Sequence, residues 1–287
     1  MRMLKGLLTG TVLLASAAMP MTAFAAGEIV IAIGSEPSTL DPQARDDGGE
    51  RAVNDNIYET LMARTADGTL VPGLAAADPT KVDATTWEFK PRDGISFTNG
   101  EPFNAGAVVA SVERILDPAL KSEQLAYFGG ITGAKKVDDL TVQITTAGPD
   151  PILPSRMYWM KMVPAAYSKD PKFGEAPVGT GPYKLEAFNR GQDIVLVANP
   201  DYWDGAPSID KVTYRFVGES GTRLSGLVAG EFDVITNLLP EFVESVPKSA
   251  TVQGLETSVI VLSTDNEVTK DPKVREAYYG GAEGAGA

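Results

Sequence analysis

The run Glu28–Ile33, EIVIAI, is the feature that most constrains the fold. It is a nearly continuous apolar stretch rich in β-branched residues, and Gly34 ends it. A strand that is apolar on both faces needs cover on both faces, as happens inside the sheets of α/β proteins. Segments with strand and helix patterns alternate along the rest of the chain. The sequence therefore predicts an α/β fold with this strand at the centre of a sheet.

The loop after this predicted strand is a candidate ligand contact. Pro37 and Pro42 favour an extended path for the residues before them, and in open α/β sheets ligands bind beyond the carboxyl ends of the strands. We therefore expect Ser35, Glu36 and Pro37 to face a cleft, where the Glu36 carboxylate would accept a hydrogen bond from a ligand amine. The alternative is that Ser35 and Asp41 only cap local turns.

Composition excludes several kinds of active site. The 287 residues include no histidine and no cysteine, so Ser-His-Asp and Cys-His nucleophilic sites, histidine-ligated zinc and thiolate metal centres cannot be built from them. No metal or cofactor is predicted. The formal net charge of −13 argues against nucleic acid as a partner, because a field of that sign repels phosphates. The charge is interpreted either as an aid to solubility or as an attraction for cationic solutes.

The N-terminus has the pattern of a secretory signal peptide. Arg2 and Lys5 precede an apolar run at residues 7–18, and Ala-Phe-Ala at residues 23–25 matches the small-x-small cleavage signature. We predict a signal peptide at residues 1–25 and a periplasmic mature protein. The apolar run is short for a membrane span, although a retained anchor is the alternative. Without cysteine, no lipid anchor is expected at the cleavage site.

Several sequence blocks occur in a recognisable order. APVGTGPYKL, VLVANPDYWDGAPSIDKVTYRF and RLSGLVAGEFDV follow one another between residues 176 and 233, after SEPSTLDP at residues 35–42 and TWEFKPRDGISFTNGEPF at residues 86–103. Together they resemble the bacterial extracellular solute-binding proteins of family 5, the peptide/nickel class that serves ABC importers. The resemblance covers nearly the whole predicted mature chain.

This resemblance implies both a fold and a function. The fold would be periplasmic-binding-protein-like, type II, of the large three-domain (cluster C) architecture. The function would be capture of a small-molecule or peptide ligand and its delivery to ABC transporter permease subunits at the inner membrane, by a monomer that performs no chemistry. Two alternatives remain: a binding-inert remnant, and a secreted glycosidase that uses a carboxylate pair. The 38 acidic residues single out no such pair.

The resemblance also implies domain boundaries. Domain I would comprise residues 26–45 and 176–257, and domain II, a small α/β lobe, residues 46–175. Residues 258–277 would begin domain III, which is expected to be largely missing, and residues 278–287 would form a disordered small-residue tail. A ligand enclosed from one side only would bind weakly.

In the predicted small lobe, residues 52–63 have a helical pattern, and residues 86–90 and 140–145 alternate as strands. Asn104 is placed to cap a second helix over Ala105–Leu116, which Pro118 would stop. Family members usually carry acidic residues in the first turn of this helix. Here Gly106 and Ala107 occupy that turn, so a favourable interaction with the helix dipole is lost.

Two further segments are candidate ligand contacts. The run PSRMYWMKM at residues 154–162 is rich in methionine and aromatic residues, and we predict Tyr158 and Trp159 as contacts because such side chains adapt to varied ligands. Packing in the core is the alternative. By resemblance, a strand at residues 230–235 would continue into three residues beside the ligand: Thr236, Asn237 and Leu238.

Two family blocks are predicted to be scaffold. Gly179 and Gly181 form a corner that serves backbone geometry, because no helix N-terminus follows to make an anion site. Tyr202 and Trp203 are expected to pack down against the body of the protein.

Overall fold

The computed structural model describes residues 27–65 and 67–246. The described residues up to 242 belong to one compact unit. The predicted signal peptide, the start of domain III and the tail lie outside the described residues. Within the described residues, no helix is both long enough and apolar enough to cross a bilayer.

Strands and helices alternate throughout. The strands are β1 (Glu28–Ile33), β2 (Met62–Arg64), β3 (Leu70–Pro72), β4 (Thr80–Lys81), β5 (Thr86–Phe89), β6 (Ile131–Asp138), β7 (Thr141–Thr146), β8 (Tyr183–Asn189), β9 (Asp193–Ala198), β10 (Lys211–Phe216) and β11 (Val234–Ile235). The α-helices are α1 (Gly48–Ile57), α2 (Ala105–Leu116), α3 (Leu125–Phe128), α4 (Leu153–Arg156) and α5 (Ser220–Ala229), and short 3-10 helices cover Tyr167–Lys169 and Pro240–Ser245.

The larger sheet has five strands in the order β11-β1-β10-β9-β8. The prediction of a central first strand is confirmed, since β1 pairs in parallel with both β10 and β11. The other pairs, β10 with β9 and β9 with β8, are antiparallel. One apolar cluster covers this sheet, and it includes Val53 and Ile57 of α1 together with Ile194, Leu196 and Tyr214 of the strands.

The smaller layer is a four-stranded sheet in the order β4-β5-β7-β6. Helix α2 packs on it and contributes Val108, Val112 and Ile115 to a second apolar cluster. The predicted helix over Ala105–Leu116 and its cap are both confirmed, because Asn104 Oδ1 accepts hydrogen bonds from Gly106 N at 2.8 Å and from Ala107 N at 3.3 Å. The predicted domain boundaries remain predictions. Helix α1 falls within predicted domain II, yet it packs with the larger sheet, whose strand β1 falls within predicted domain I.

The prediction of a helix over residues 52–63 is wrong at both ends. Helix α1 begins at Gly48 because the Asp47 side chain caps it by accepting from Glu50 N at 3.0 Å. It ends at Ile57 because the glycine corner packs on its last turn, where Gly181 N donates to Ile57 O at 2.9 Å. The chain then turns into extended structure, which the helical periodicity did not reveal.

The glycine corner confirms its predicted role in backbone geometry. A Cβ atom on Gly179 would lie 1.9 Å from Ile57 O, and one on Gly181 would lie 2.7 Å from both Asn56 O and Ile57 O. Only a residue without a side chain allows this approach.

The predicted strand at residues 230–235 is shorter than expected. Gly230 adopts φ 77 and ends α5 in the left-handed conformation that glycine favours. Asp233 then tethers the segment to β1, since its carboxylate accepts a hydrogen bond from Val30 N at 2.8 Å. Only Val234–Ile235 pairs as β11.

Tyr202 and Trp203 pack down as predicted, around the carboxylate of Glu59. Glu59 accepts hydrogen bonds from Tyr202 Oη at 2.8 Å, Trp203 Nε1 at 2.9 Å and Thr180 Oγ1 at 2.7 Å. Burial is the main cause that raises the pKa of Glu59 above its usual value. The Glu59 carboxylate thus ties two segments, residues 199–203 (NPDYW) and the glycine corner, to the end of α1.

Candidate functional site

The loop after β1, helix α1 and the segment after α4 meet around a cavity of about 30 Å³. Its lining combines charged, amide and aromatic side chains and includes residues from each of these elements. Because this is where the two layers of the fold come together, the cavity is the candidate functional site.

Ion pairs between neighbours hold the charged side chains of the cavity. Arg51 Nε lies 3.2 Å from Asp46 Oδ1, and Lys161 Nζ lies 2.7 Å from Asp55 Oδ1. The guanidinium of Arg45 contacts the carboxylate of Glu123. These pairs neutralise one another locally, so the wall presents fixed dipoles and no large net charge.

Glu50 is the most buried acidic residue of the lining, with 2% of its surface exposed. Its carboxylate accepts hydrogen bonds from Ser38 Oγ at 2.6 Å and from Ser38 N at 3.1 Å. Burial is the main cause that raises its pKa. This contact fastens the loop that follows β1 to the first turn of α1.

The predicted contacts Tyr158 and Trp159 lie in the wall of this cavity. Both are half-buried, whereas Met157, Met160 and Met162 of the same run are fully buried in the core. The sequence left two interpretations of this run, packing in the core and contact with a ligand. Its methionines pack in the core, and its two aromatic residues border the cavity.

Cations fix the orientation of both rings. The rings of Tyr158 and Trp159 meet edge to face with centroids 4.9 Å apart. The Arg51 guanidinium lies 5.3 Å from the centroid of Trp159, and that of Arg64 lies 5.4 Å from the centroid of Tyr158. Such contacts stabilise an aromatic side chain in one position.

The remaining predicted contacts lie at the carboxyl edge of the larger sheet. Because β1 and β11 run in parallel, with Ala32 opposite Ile235, the residues after each strand leave the sheet side by side. These residues are Ser35, Glu36 and Pro37 after β1 and Thr236, Asn237 and Leu238 after β11. None of the six belongs to the cavity lining within the described residues, so their role as contacts stays a prediction.

Two of these side chains already have defined surroundings. Glu36 accepts hydrogen bonds from Gly191 N at 2.9 Å and from Arg190 Nη1 at 3.4 Å, so a ligand amine would compete with the hairpin between β8 and β9. Ser35 is exposed, and its hydroxyl lies beside Gly49 at the start of α1. The alternative of a local turn is observed for Asp41, whose Oδ1 accepts from Gln43 N at 3.1 Å.

Arg223 shapes the segment after β11. It is buried, and its guanidinium donates to the carbonyl oxygens of Val217, Gly218, Thr236 and Asn237 over 2.7–3.3 Å. Asn237 has φ 54, a left-handed conformation that asparagine tolerates better than most residues. A single cation therefore sets the backbone at the ends of β10 and β11.

The sequence did not reveal the polar face of α1. Glu50, Arg51, Asn54 and Asp55 line the cavity at positions i, i+1, i+4 and i+5 of one helix, which places them on one side. That spacing was visible in the sequence, but the predicted helix began too late to include the first two. Gln124 and Tyr127 come from a distant part of the chain and carried no local signal.

Residues 69–279 match the model of the bacterial extracellular solute-binding proteins, family 5 Middle. The chain belongs to this family. Its fold is that of the type II periplasmic binding proteins of family 5, as solved relatives show. Within the described residues, no cluster of three or more acidic side chains is arranged to hold a metal ion.

Individual relatives are similar over most of this chain. The glutathione-binding protein GsiB of Escherichia coli (strain K12) is 31% identical over 274 residues, which is 92% of this chain and 54% of GsiB. The periplasmic binding protein DppA from Helicobacter pylori, in complex with peptide STSA, is 27% identical with a TM-score of 0.70, and the match covers 77% of this chain and 49% of the DppA chain. AgaA from A.tumefacien R10, in complex with agropinic acid, is 30% identical with a TM-score of 0.70, and the match covers 78% of this chain and 46% of the AgaA chain. The chain thus spans about half the length of the curated relatives it matches.

Proposed function

We propose that this protein captures a small peptide-like solute in the periplasm and passes it to the permease subunits of an ABC importer. The cavity beside Tyr158 and Trp159 carries the proposal. Its volume of about 30 Å³ can take only one small group of such a solute, and two half-exposed aromatic faces beside locally neutralised charges would contact that group. The protein would act as a monomer and without a cofactor.

The relatives support the same kind of ligand. GsiB is named for glutathione, and the DppA and AgaA structures contain a peptide and agropinic acid. The predicted contacts at the ends of β1 and β11 would form a second wall for the same solute. Closure would draw its free energy from contacts made only in the closed state.

Binding without chemistry fits the side chains available. Histidine and cysteine are absent from the sequence, and the carboxylates of the cavity are held by Arg51, Lys161 and Ser38. A glycosidase would need one free acid and one free base or nucleophile. The proposal therefore assigns these carboxylates to positioning and gives none of them a catalytic role.

Calorimetric titration tests this function. We expect glutathione or one of a set of short glycyl peptides to bind saturably, and chromatography to recover the solute unchanged. Trp159→Ala should weaken binding. The matched control Trp87→Ala removes an indole whose Nε1 donates to Asp150 O at 3.0 Å, outside the cavity lining, and should leave affinity unchanged. Conversion of any solute, or equal affinity in both variants, would contradict the proposal.

A further inference from the structure

Asn99 is the one asparagine in the sequence that a glycine follows. Asparagine is thermolabile, because the backbone nitrogen of the next residue can attack its side-chain amide carbon. A glycine in that next position has no Cβ to hinder the approach. Both Asn99 and Gly100 are exposed, and no described atom lies within 4 Å of where a Cβ on Gly100 would be. Sequence and exposure therefore single out Asn99 as a reactive amide.

Hydrogen bonds hold both reacting groups in the native turn. Gly100 N donates to Phe97 O at 2.8 Å, so the attacking nitrogen is engaged. Glu101 holds the Asn99 amide at both ends, since Asn99 Oδ1 accepts from Glu101 N at 3.0 Å and Asn99 Nδ2 donates to Glu101 Oε1 at 2.8 Å. Attack on the amide carbon requires these bonds to open. Because exposed turns open locally at small cost in free energy, the turn slows the reaction and does not abolish it.

The carboxylate of Glu101 also joins this turn to a distant segment. Its Oε2 accepts from Ala166 N at 2.9 Å, and its Oε1 accepts from Tyr167 N at 3.1 Å. Glu101 thus binds the N–H groups at the start of the 3-10 helix Tyr167–Lys169 as well as the Asn99 amide. A carboxylate in place of that amide would lie against the carboxylate of Glu101, and like charges at this distance repel each other.

We propose that Asn99 is a site of spontaneous deamidation, restrained by Glu101, and that its acidic product loosens the hold of Glu101 on residues 166–167. In the first step the Gly100 nitrogen forms a bond to Cγ of Asn99, the Cγ–Nδ2 bond breaks, and ammonia leaves with the proton of the Gly100 nitrogen. Water then opens the resulting succinimide ring at either carbonyl. The products are aspartate and isoaspartate, and each has a carboxylate where Asn99 had a hydrogen-bond donor.

Incubation of the full chain at mildly alkaline pH, followed by tryptic digestion and tandem mass spectrometry, tests the assignment. Asn99 lies in the tryptic peptide 93–114, and the peptide 185–190 contains the matched control Asn189. Asn189 is also exposed and donates its amide to a neighbouring carboxylate at 2.7 Å, but Arg190 follows it. Asn99 should deamidate several-fold faster than Asn189 in the folded chain. Equal rates, or faster reaction at another asparagine, would overturn the proposal.

Glu101→Ala separates restraint by the turn from the intrinsic reactivity of the pair. It removes the carboxylate that holds the Asn99 amide, so deamidation of Asn99 should accelerate several-fold in the folded variant. In urea the turn is lost from both proteins, so their rates should agree and exceed the native rate. The control Glu231→Ala, at an exposed glutamate after α5, should leave the rate unchanged. A folded Glu101→Ala chain that reacts at the wild-type rate would contradict the restraint.

Asn99→Asp reproduces the aspartate product and tests its consequence. Its urea unfolding midpoint should lie below that of the wild type, because two carboxylates then face each other. In a Glu101→Gln background the same substitution should lower the midpoint less, since the neutral amide does not repel the new charge. Comparison of the two backgrounds isolates the contact between these side chains. An equal loss in both, or no loss in the wild-type background, would refute the proposed effect of deamidation on Glu101.

Discussion

Polar side chains with several hydrogen-bond partners organise this protein residue by residue. Glu59 is the clearest case, because its two oxygens accept from a tryptophan, a tyrosine and a threonine of two different family blocks. Hydrogen bonds to a charged group contribute more than neutral ones. Glu59 lies outside both of these sequence blocks and ties them together. The sequence predicted that Trp203 is part of the scaffold, but it did not indicate that Glu59 is the hydrogen-bond partner of Trp203.

The raised pKa of Glu59 gives a prediction with a definite sign. Because the folded state binds a proton more readily than the unfolded state, the stabilisation from Glu59 is complete below its unfolded-state pKa and declines as the pH rises through the raised folded-state pKa. The stability of the wild type relative to Glu59→Gln should fall over that interval. At low pH the loss of one acceptor oxygen should cost the variant about 1–3 kcal/mol.

Urea unfolding of both proteins over a pH series measures this difference. Glu231→Gln is a suitable control, since Glu231 is exposed on the short turn after α5. A wild-type advantage that grows with pH would show that the charged form of Glu59 is the one favoured by folding, contrary to this prediction.

Among the helices and strands, α2 shows how local signals can suffice. Its apolar stripe, its asparagine cap and the stop at Pro118 were all in the sequence, and Ala105–Leu116 formed as expected. The first turn contains no acidic residue, so the positive end of the helix dipole is unmatched.

Two substitutions at Asn104 test that reading of the helix end. Asn104→Ala should destabilise the protein by about 1 kcal/mol because two backbone N–H groups lose their acceptor. Asn104→Asp keeps an acceptor and adds a negative charge at the positive end of the dipole, so it should stabilise by roughly 0.3–1 kcal/mol at low ionic strength. Thermal unfolding at low and high salt measures both. An aspartate variant less stable than the wild type would refute the dipole argument.

Other elements could not be predicted because contacts between distant segments define them. The end of α1 depends on Gly179 and Gly181, more than 120 residues away in the sequence, pressing on Ile57. Thr60 then pairs with Lys161 in an isolated bridge, which no local pattern indicates. The polar face of α1 was lost from the prediction for a local reason, because the helix begins at the Asp47 cap and the predicted helix began later, which left out Glu50 and Arg51 of the cavity wall.

In the whole molecule, the two layers are joined beside the candidate site. Arg114 of α2 makes a two-pronged ion pair with Asp41 of the loop after β1, with Nη2 to Oδ2 at 2.6 Å and Nη1 to Oδ1 at 3.0 Å. Gln43 in the same loop donates to Ser111 O and Lys161 O. The sequence could place the sheet and the small lobe separately. It could not show that contacts with α2 and with the segment after α4 hold the loop between them, or that this loop forms part of the cavity.

The central claim is that solute binds in the cavity beside Tyr158 and Trp159, and a crystal structure of the chain with the tightest-binding member of the peptide panel tests it most directly. The account predicts electron density for an intact solute in contact with Trp159. Density at the groove lined by Glu113 of α2 and by Asp117, which follows that helix, or a chemically altered solute, would contradict it.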